Sequence, residues 1–183
     1  MKNTNIQTLT VGGGCFWCVE AIFNEVKGVQ EVVSGYSGGT VPGTPTYREV
    51  SSGRTGHAEV VQVTFDASVI SYEELLVIFM TTHNPTTPNQ QGADYGSQYR
   101  SVIYYHNKEQ EDIAKEVIKQ LEPYFDKPIV TEVNEAQKFH RAEDYHQNYY
   151  ENNKEAGYCA AVINPKLAKL RKMHVGSLKT VTV

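Results

Sequence analysis

Gly12-Gly13-Gly14-Cys15-Phe16-Trp17-Cys18-Val19-Glu20 joins a short extended run, residues 6–11, to a helix expected over 15–26. Three glycines turn the backbone there. Phe16, Val19, Ile22, Phe23 and Val26 then recur three and four apart, the stripe of an amphipathic helix with one buried face. Cys15 falls near the amino end of that helix, where free N–H groups and the positive end of the dipole stabilise a thiolate by about 0.3–1 kcal/mol, up to about 2 when partly buried. A thiol so placed is expected to have a lowered pKa and to act as a nucleophile. The glycines let a second molecule approach the main chain beside the sulfur. Phe16 and Trp17, the latter the only tryptophan of the chain, would wall an apolar pocket. Without such neighbours, Cys15 and Cys18 would read as small buried hydrophobes, as most free cysteines are.

Outward from this stretch, Val29–Gly35 is β-branched enough to return as a strand. Residues 36–56 have loop composition throughout; connections of that length are usually functional when ordered. In the next strand Glu59, Val61, Val63 and Phe65 share one face by the period of two. A carboxyl group on that apolar face would lose solvation and stay protonated near neutrality as a proton donor, unless it sat at an exposed strand start. Ser71 and Glu74 form a capping box for a helix running to about Thr82, and His83 to Gln98 reads as a second long loop holding Asp94, Tyr95 and close to Tyr99. Two long loops suggest a shared rim around a site.

Arg100–Tyr105 reads as a strand, Asn107 as the cap of a third helix, and Ile129–Val133 as a last strand. From Ala136 the chain turns polar and aromatic without a period, as if wrapping a body already formed. His140 and His146 in this stretch read as surface hydrogen-bonders. Cys159 follows on a segment expected to be mobile, ahead of Asn164-Pro165, which reads as the start of a short final helix.

The length of 183 residues fits one domain with a full core. The 17 basic and 21 acidic residues leave a net charge of −4 and form no long basic run, so no nucleic-acid footprint is visible. Met1-Lys2-Asn3-Thr4-Asn5 lacks the apolar stretch of a signal peptide, and no segment approaches the roughly 20 apolar residues of a membrane span. The expectation is a cytoplasmic protein without a membrane partner. Three cysteines in a reducing compartment point to thiol chemistry or inert burial rather than a disulfide framework.

Five separated blocks carry a resemblance: Gly14-Cys15-Phe16-Trp17, Tyr47-Arg48-Glu49-Val50, Thr55-Gly56-His57-Ala58-Glu59, Gly96-Ser97-Gln98-Tyr99-Arg100-Ser101 and Ala142-Glu143-Asp144-Tyr145-His146-Gln147. In these the chain resembles the A-type peptide methionine-sulfoxide reductases, enzymes that restore methionine from one sulfoxide epimer. The resemblance implies that Cys15 attacks the sulfoxide sulfur, that Phe16 and Trp17 receive the S-methyl group, and that Glu59 protonates the oxygen with Tyr47 and Tyr99 as hydrogen-bonding partners. Asp94 would orient the substrate or a site water. It implies reduction of methionine S-sulfoxide in proteins and as the free amino acid, without metal, flavin or nicotinamide, leaving Cys15 as a sulfenic acid. A second thiol then forms a disulfide, which thioredoxin or another dithiol reduces.

Many relatives carry two tail cysteines; here only Cys159 lies in the tail, and Cys18 is extra. Cys159 is expected to resolve the sulfenic acid, with Cys18 a packed helix residue or an occasional substitute. A monomer with a single catalytic domain over 1–183 is expected, and the resemblance implies for it an α+β fold: a two-layer ferredoxin-like sandwich wrapped by a long coil, from about 136 to 183. A thiol-disulfide oxidoreductase using Cys15 and Cys18 is the competing enzyme, though it gives Glu59, Tyr47 and Tyr99 no role. A zinc module built on the three cysteines and a histidine is the non-catalytic alternative, and it lacks a second paired-ligand motif.

Overall fold

The computed structural model describes residues 4–180. Met1–Asn3 of the stretch inspected for a signal peptide, and residues 181–183 of the tail, lie outside the described residues. Six strands form the main sheet: β1 (Ile6–Gly12), β2 (Val29–Ser37), β3 (Ala58–Asp66), β6 (Val102–Tyr105), β7 (Glu132–Glu135) and β8 (His140–Arg141). Their order is β7-β6-β1-β3-β2-β8, with every pair antiparallel except β6 and β7. A separate hairpin pairs β4 (Gln90–Gln91) with β5 (Asp94–Tyr95). The helices are α1 (Phe16–Asn24), α2 (Tyr47–Ser51), α3 (Tyr72–Thr82), α4 (Lys108–Leu121), α5 (Tyr149–Asn152) and α6 (Asn164–Met173). The protein is thus a mixed α+β structure on a mostly antiparallel sheet.

The core follows from the two periodicities. Leu9, Val11, Val61, Val63 and Phe65 are buried on one sheet face, together with Phe16, Val19, Ile22 and Phe23 of α1 and Leu75, Leu76, Ile78 and Phe79 of α3. Each such side chain contributes about 1.5–3 kcal/mol when fully buried. The opposite face carries Val60, Val102 and Tyr104, covered by Ala136 and Phe139 of the tail. Both capped helices start where the side chains require: Ser71 and Glu74 complete their capping box, and the Gln110 N–H donates to Asn107 Oδ1 at 2.9 Å.

The long loops contain more structure than composition suggests. Residues 36–56 hold the end of β2 and the five-residue α2, which starts with a Thr46–Glu49 capping box. Residues 83–98 hold the β4–β5 hairpin and lead into a 3-10 turn at Ser97–Tyr99. The expected last strand lies later, at Glu132–Glu135. The tail, expected to be irregular ahead of its final helix, also includes β8, α5 and a π-helical turn at Cys159–Ile163; the expected final helix is the ten-residue α6, which continues from that turn. Among the described residues, no helix is long and apolar enough to cross a membrane.

Candidate active site

Antiparallel pairing of β1 with β3 sets the end of β1 beside the start of β3, with Val11 opposite Val61. The turn bearing Cys15 therefore meets the strand start bearing Glu59. Two glycines are required by what surrounds this turn. Gly14 has φ +88, and a Cβ at Gly13 would stand 2.8 Å from Cδ2 of His83. The Gly14 N–H donates to the Tyr99 carbonyl at 3.1 Å, which ties the 83–99 segment to the nucleophile's turn.

Cys15 is the N-cap of α1, with φ −62 and ψ 128, rather than its first helical residue. Cys18 is consequently the N3 residue, the position toward which an N-cap side chain points. The neighbouring Cys15 thiol pulls Cys18 down to about 7, helped by the Lys166 charge and the Tyr158 phenol against its own burial. Cys15 behaves differently from the sequence-based expectation. Burial, the Cys18 contact and the nearby Glu59 charge raise it well above an ordinary thiol, and the Trp17 N–H offsets only part of this. The magnitudes explain the reversal, because a helix terminus supplies up to about 2 kcal/mol whereas full burial shifts a pKa by up to about 3–5 units.

Glu59 is 2% exposed and lies opposite Tyr36 on β2. Burial first, then the Asp94 and Cys18 charges, raise its carboxyl well above the ordinary range. Its Oε2 has no hydrogen-bond partner among the described residues. The alternative of a Glu59 head in water at an exposed strand start is therefore corrected. Tyr47, at the first position of α2, and Tyr99, at the end of the 3-10 turn, are half-buried around it. Both phenols are raised by burial and by the Glu59 charge, and both also feel Cys15 and Asp94. Asp94, on β5, accepts from the Tyr158 hydroxyl at 3.1 Å.

Phe16 is buried against Tyr36 and His146, and Trp17 is half-exposed. Trp17 is held by the tail: its Nε1 donates to His146 Nδ1 at 3.0 Å, and Tyr149 stacks on it at 3.6 Å between centroids with 5° between planes. Tyr158 meets its edge at 5.7 Å.

Two expectations for the tail are corrected. His140 and His146 are buried rather than surface groups, because β8 pairs with β2 and the aromatic segment folds onto Phe16, Trp17 and Tyr47. Cys159 is 0% exposed, packed on its π-helical turn and close enough to Cys18 to feel its charge. Cys18, rather than Cys159, is the thiol beside Cys15. All three cysteines are free.

Several residues of this arrangement had no individual signal in the sequence. Glu143 accepts from the Tyr36 hydroxyl and the Tyr47 N–H, each at 3.0 Å, and so fixes the start of α2. Tyr158 bridges Cys18, at 3.6 Å, and Asp94. Among the described residues, no group of three or more His, Cys, Asp or Glu side chains is placed to hold a metal ion. A thiol pair beside a neutral, desolvated carboxylic acid and an aromatic wall suits attack on a weakly polar, oxygen-bearing centre whose oxygen must be protonated to leave.

Residues 7–178 match the family described as "Peptide methionine sulfoxide reductase". The chain belongs to the peptide methionine sulfoxide reductase family. It is 56% identical over 167 residues to the peptide methionine sulfoxide reductase MsrA of Sulfolobus acidocaldarius, covering 91% of this chain and 94% of that one. The structure of methionine sulfoxide reductase A of Corynebacterium diphtheriae is similar at TM-score 0.79 and 37% identity, over 85% of this chain and 78% of that one. The reduced form of Mxr1 from Saccharomyces cerevisiae is similar at TM-score 0.77 and 29% identity, over 86% and 94%. Mxr1 has also been solved in complex with Trx2. The reductase described here is thus an oxidoreductase acting on methionine sulfoxide.

Proposed function

We propose that Glu59, as a neutral acid, protonates the sulfoxide oxygen while Cys15 attacks the sulfur, with Tyr47 and Tyr99 hydrogen-bonding around the oxygen. Phe16 and Trp17 receive the S-methyl group and Asp94 orients the substrate. The buried, unpartnered Oε2 of Glu59 beside Cys15 carries this reading, since it leaves an acid with an open position for an acceptor. The balance is simple: sulfoxide and thiol become thioether and Cys15 sulfenic acid, the oxygen passing to sulfur of the enzyme.

Resolution proceeds inside the chain. Cys18 condenses with the sulfenic acid, releasing water and forming a Cys15–Cys18 disulfide. Cys159 then exchanges onto Cys18, freeing Cys15, and thioredoxin or another dithiol reduces the resulting pair. Support comes from the N-cap and N3 placement of Cys15 and Cys18, the lowered Cys18 pKa and the buried position of Cys159, where it feels the Cys18 charge. The Mxr1–Trx2 complex makes thioredoxin the natural external dithiol.

The whole chain is read as one catalytic domain acting as a cytoplasmic monomer, with every proposed site residue contributed by one chain and free thiols suited to a reducing compartment. The order β6-β1-β3-β2, with α1 after β1 and α3 after β3, supports the ferredoxin-like sandwich, and the cover of Ala136 and Phe139 supports a wrapping tail. Turnover of the separated epimers of methionine sulfoxide, free and in peptides, with thioredoxin tests the activity. Consumption of the S form alone is expected, and equal use of the R form would overturn the epimer assignment.

A further inference from the structure

Glu20 is 1% exposed, carries a carboxyl group and has no basic partner among the described residues. It has no place in the chemistry above. Its Oε2 accepts from the Ser34 hydroxyl at 3.0 Å, and its Oε1 accepts from the Tyr149 N–H at 3.2 Å. A buried carboxyl group is costly unless donors surround it, so a site that keeps one here uses it for something an apolar residue would not do.

What it grips is informative. Asn148 lies in the left-handed region at φ 52, so that the next residue starts α5 with its N–H turned toward Glu20. The ring of that next residue, Tyr149, is the one stacked on Trp17. Gln147, one residue earlier, holds Ser34 by both main-chain groups at 2.9 Å. Glu20 and Trp17 are three apart on α1. The same helix therefore presents the tryptophan and, one turn later, the acceptor that sets the tail aromatic behind it.

We infer that Glu20 is a positioning residue: its carboxylate, through the N–H of Tyr149, fixes that ring against Trp17 and so sets the wall that receives the substrate's methyl group. This rests on the reading of Trp17 as that wall. A wall contacts the methyl group equally in the bound substrate and in the transition state, so loosening it raises KM and spares kcat.

Trp17 is the only tryptophan, so its emission reports this stack alone. In Glu20→Leu, which keeps bulk but accepts nothing, the emission is expected to move to longer wavelength, and KM for a methionine-sulfoxide peptide to rise about three- to tenfold with kcat within about twofold. Glu20→Gln is expected to restore both, because its oxygen accepts from Tyr149 and its amide donates to the Ser34 hydroxyl. Tyr149→Leu keeps the N–H but removes the ring, and should reproduce the emission change even if Glu20→Leu fails to fold. Wild-type emission in folded Glu20→Leu, or in Tyr149→Leu, overturns the inference. Emission that shifts as expected while Trp17→Leu keeps the wild-type KM would instead preserve the latch and remove Trp17 from the substrate wall.

Discussion

Cys15 and Cys18 stand as N-cap and N3 of the same helix, the relation in which a capping side chain meets the end of the first turn, and Cys15 holds the Cys18 thiol below its ordinary pKa. On a regular helix a disulfide between residues three apart would distort the turn. An N-cap in extended geometry removes that objection, because its side chain already leans toward N3.

The order of thiols follows. Cys18→Ser is expected to complete one turnover and then accumulate Cys15 sulfenic acid with thioredoxin present. Cys159→Ser should instead accumulate the Cys15–Cys18 disulfide. Mass mapping after one equivalent of sulfoxide checks both. A Cys18→Ser enzyme that cycles at full speed through a Cys15–Cys159 disulfide would remove Cys18 from the relay.

Glu59→Gln keeps the shape of the acid without its proton, and the single-turnover rate should fall by about 10²–10⁴-fold, the usual worth of a general acid. Because burial raises the Glu59 pKa, the acid form persists well above the ordinary carboxylate range. The rate of sulfoxide reduction should hold through mildly acidic pH and decline as pH rises through that raised pKa. This basic limb should be absent from Glu59→Gln. A variant rate within about threefold of wild type would assign the proton to another group.

How far the sequence discloses this site depends on the kind of signal. The stripe from Phe16 to Val26 and the alternation from Glu59 to Phe65 are periodic, so the helix and strand that carry the nucleophile and the acid are legible. Helix α2 is too short for a period, yet Thr46 and Glu49 spell its capping box and would have located it within the supposed loop. The tail gives no such sign. His146, Glu143 and Tyr158 act through partners 129, 107 and 64 residues away, contacts that depend on where the tail crosses the sheet. The Cys15 pKa departs from its expectation for a related reason: helix position is local and readable, whereas the burial that outweighs it is tertiary.

His83 links acid stability to the nucleophile's turn. Its Nδ1–H donates to the Phe79 carbonyl at 2.6 Å and its Nε2 accepts from the Ser101 hydroxyl at 2.8 Å, so the buried ring is held neutral beneath Gly13. Burial lowers its pKa from 6.5 to about 4. Between these values the unfolded chain binds a proton that the native ring does not. The stabilisation is complete above pH 6.5 and is lost as pH falls toward 4, by about 3 kcal/mol. Urea unfolding at pH 7, 5 and 4 should show His83→Gln losing about that much less stability than wild type across the range. Equal losses in the two proteins would show that the imidazole is not the group responsible.

Tyr158 is where substrate binding and recycling touch. Its one hydroxyl proton is shared between Asp94 Oδ2, at 3.1 Å, and the Cys18 sulfur, at 3.6 Å, while its ring edge meets Trp17. Cys18 owes its lowered pKa first to Cys15, then to Lys166 and to this phenol, with burial opposing all three. Tyr158→Phe keeps the ring against Trp17 and removes one of those contributions, so the Cys18 pKa should rise from about 7 toward that of an ordinary thiol. At neutral pH the thiolate fraction then falls, and resolution of the sulfenic acid should slow by a few-fold while the first sulfoxide reduction changes much less. Titration of thiolate absorbance in wild type, Tyr158→Phe and Cys18→Ser isolates the Cys18 transition. An unmoved transition in Tyr158→Phe would leave Cys15 and Lys166 as the groups that hold the thiolate, and would reduce Tyr158 to a support for Asp94.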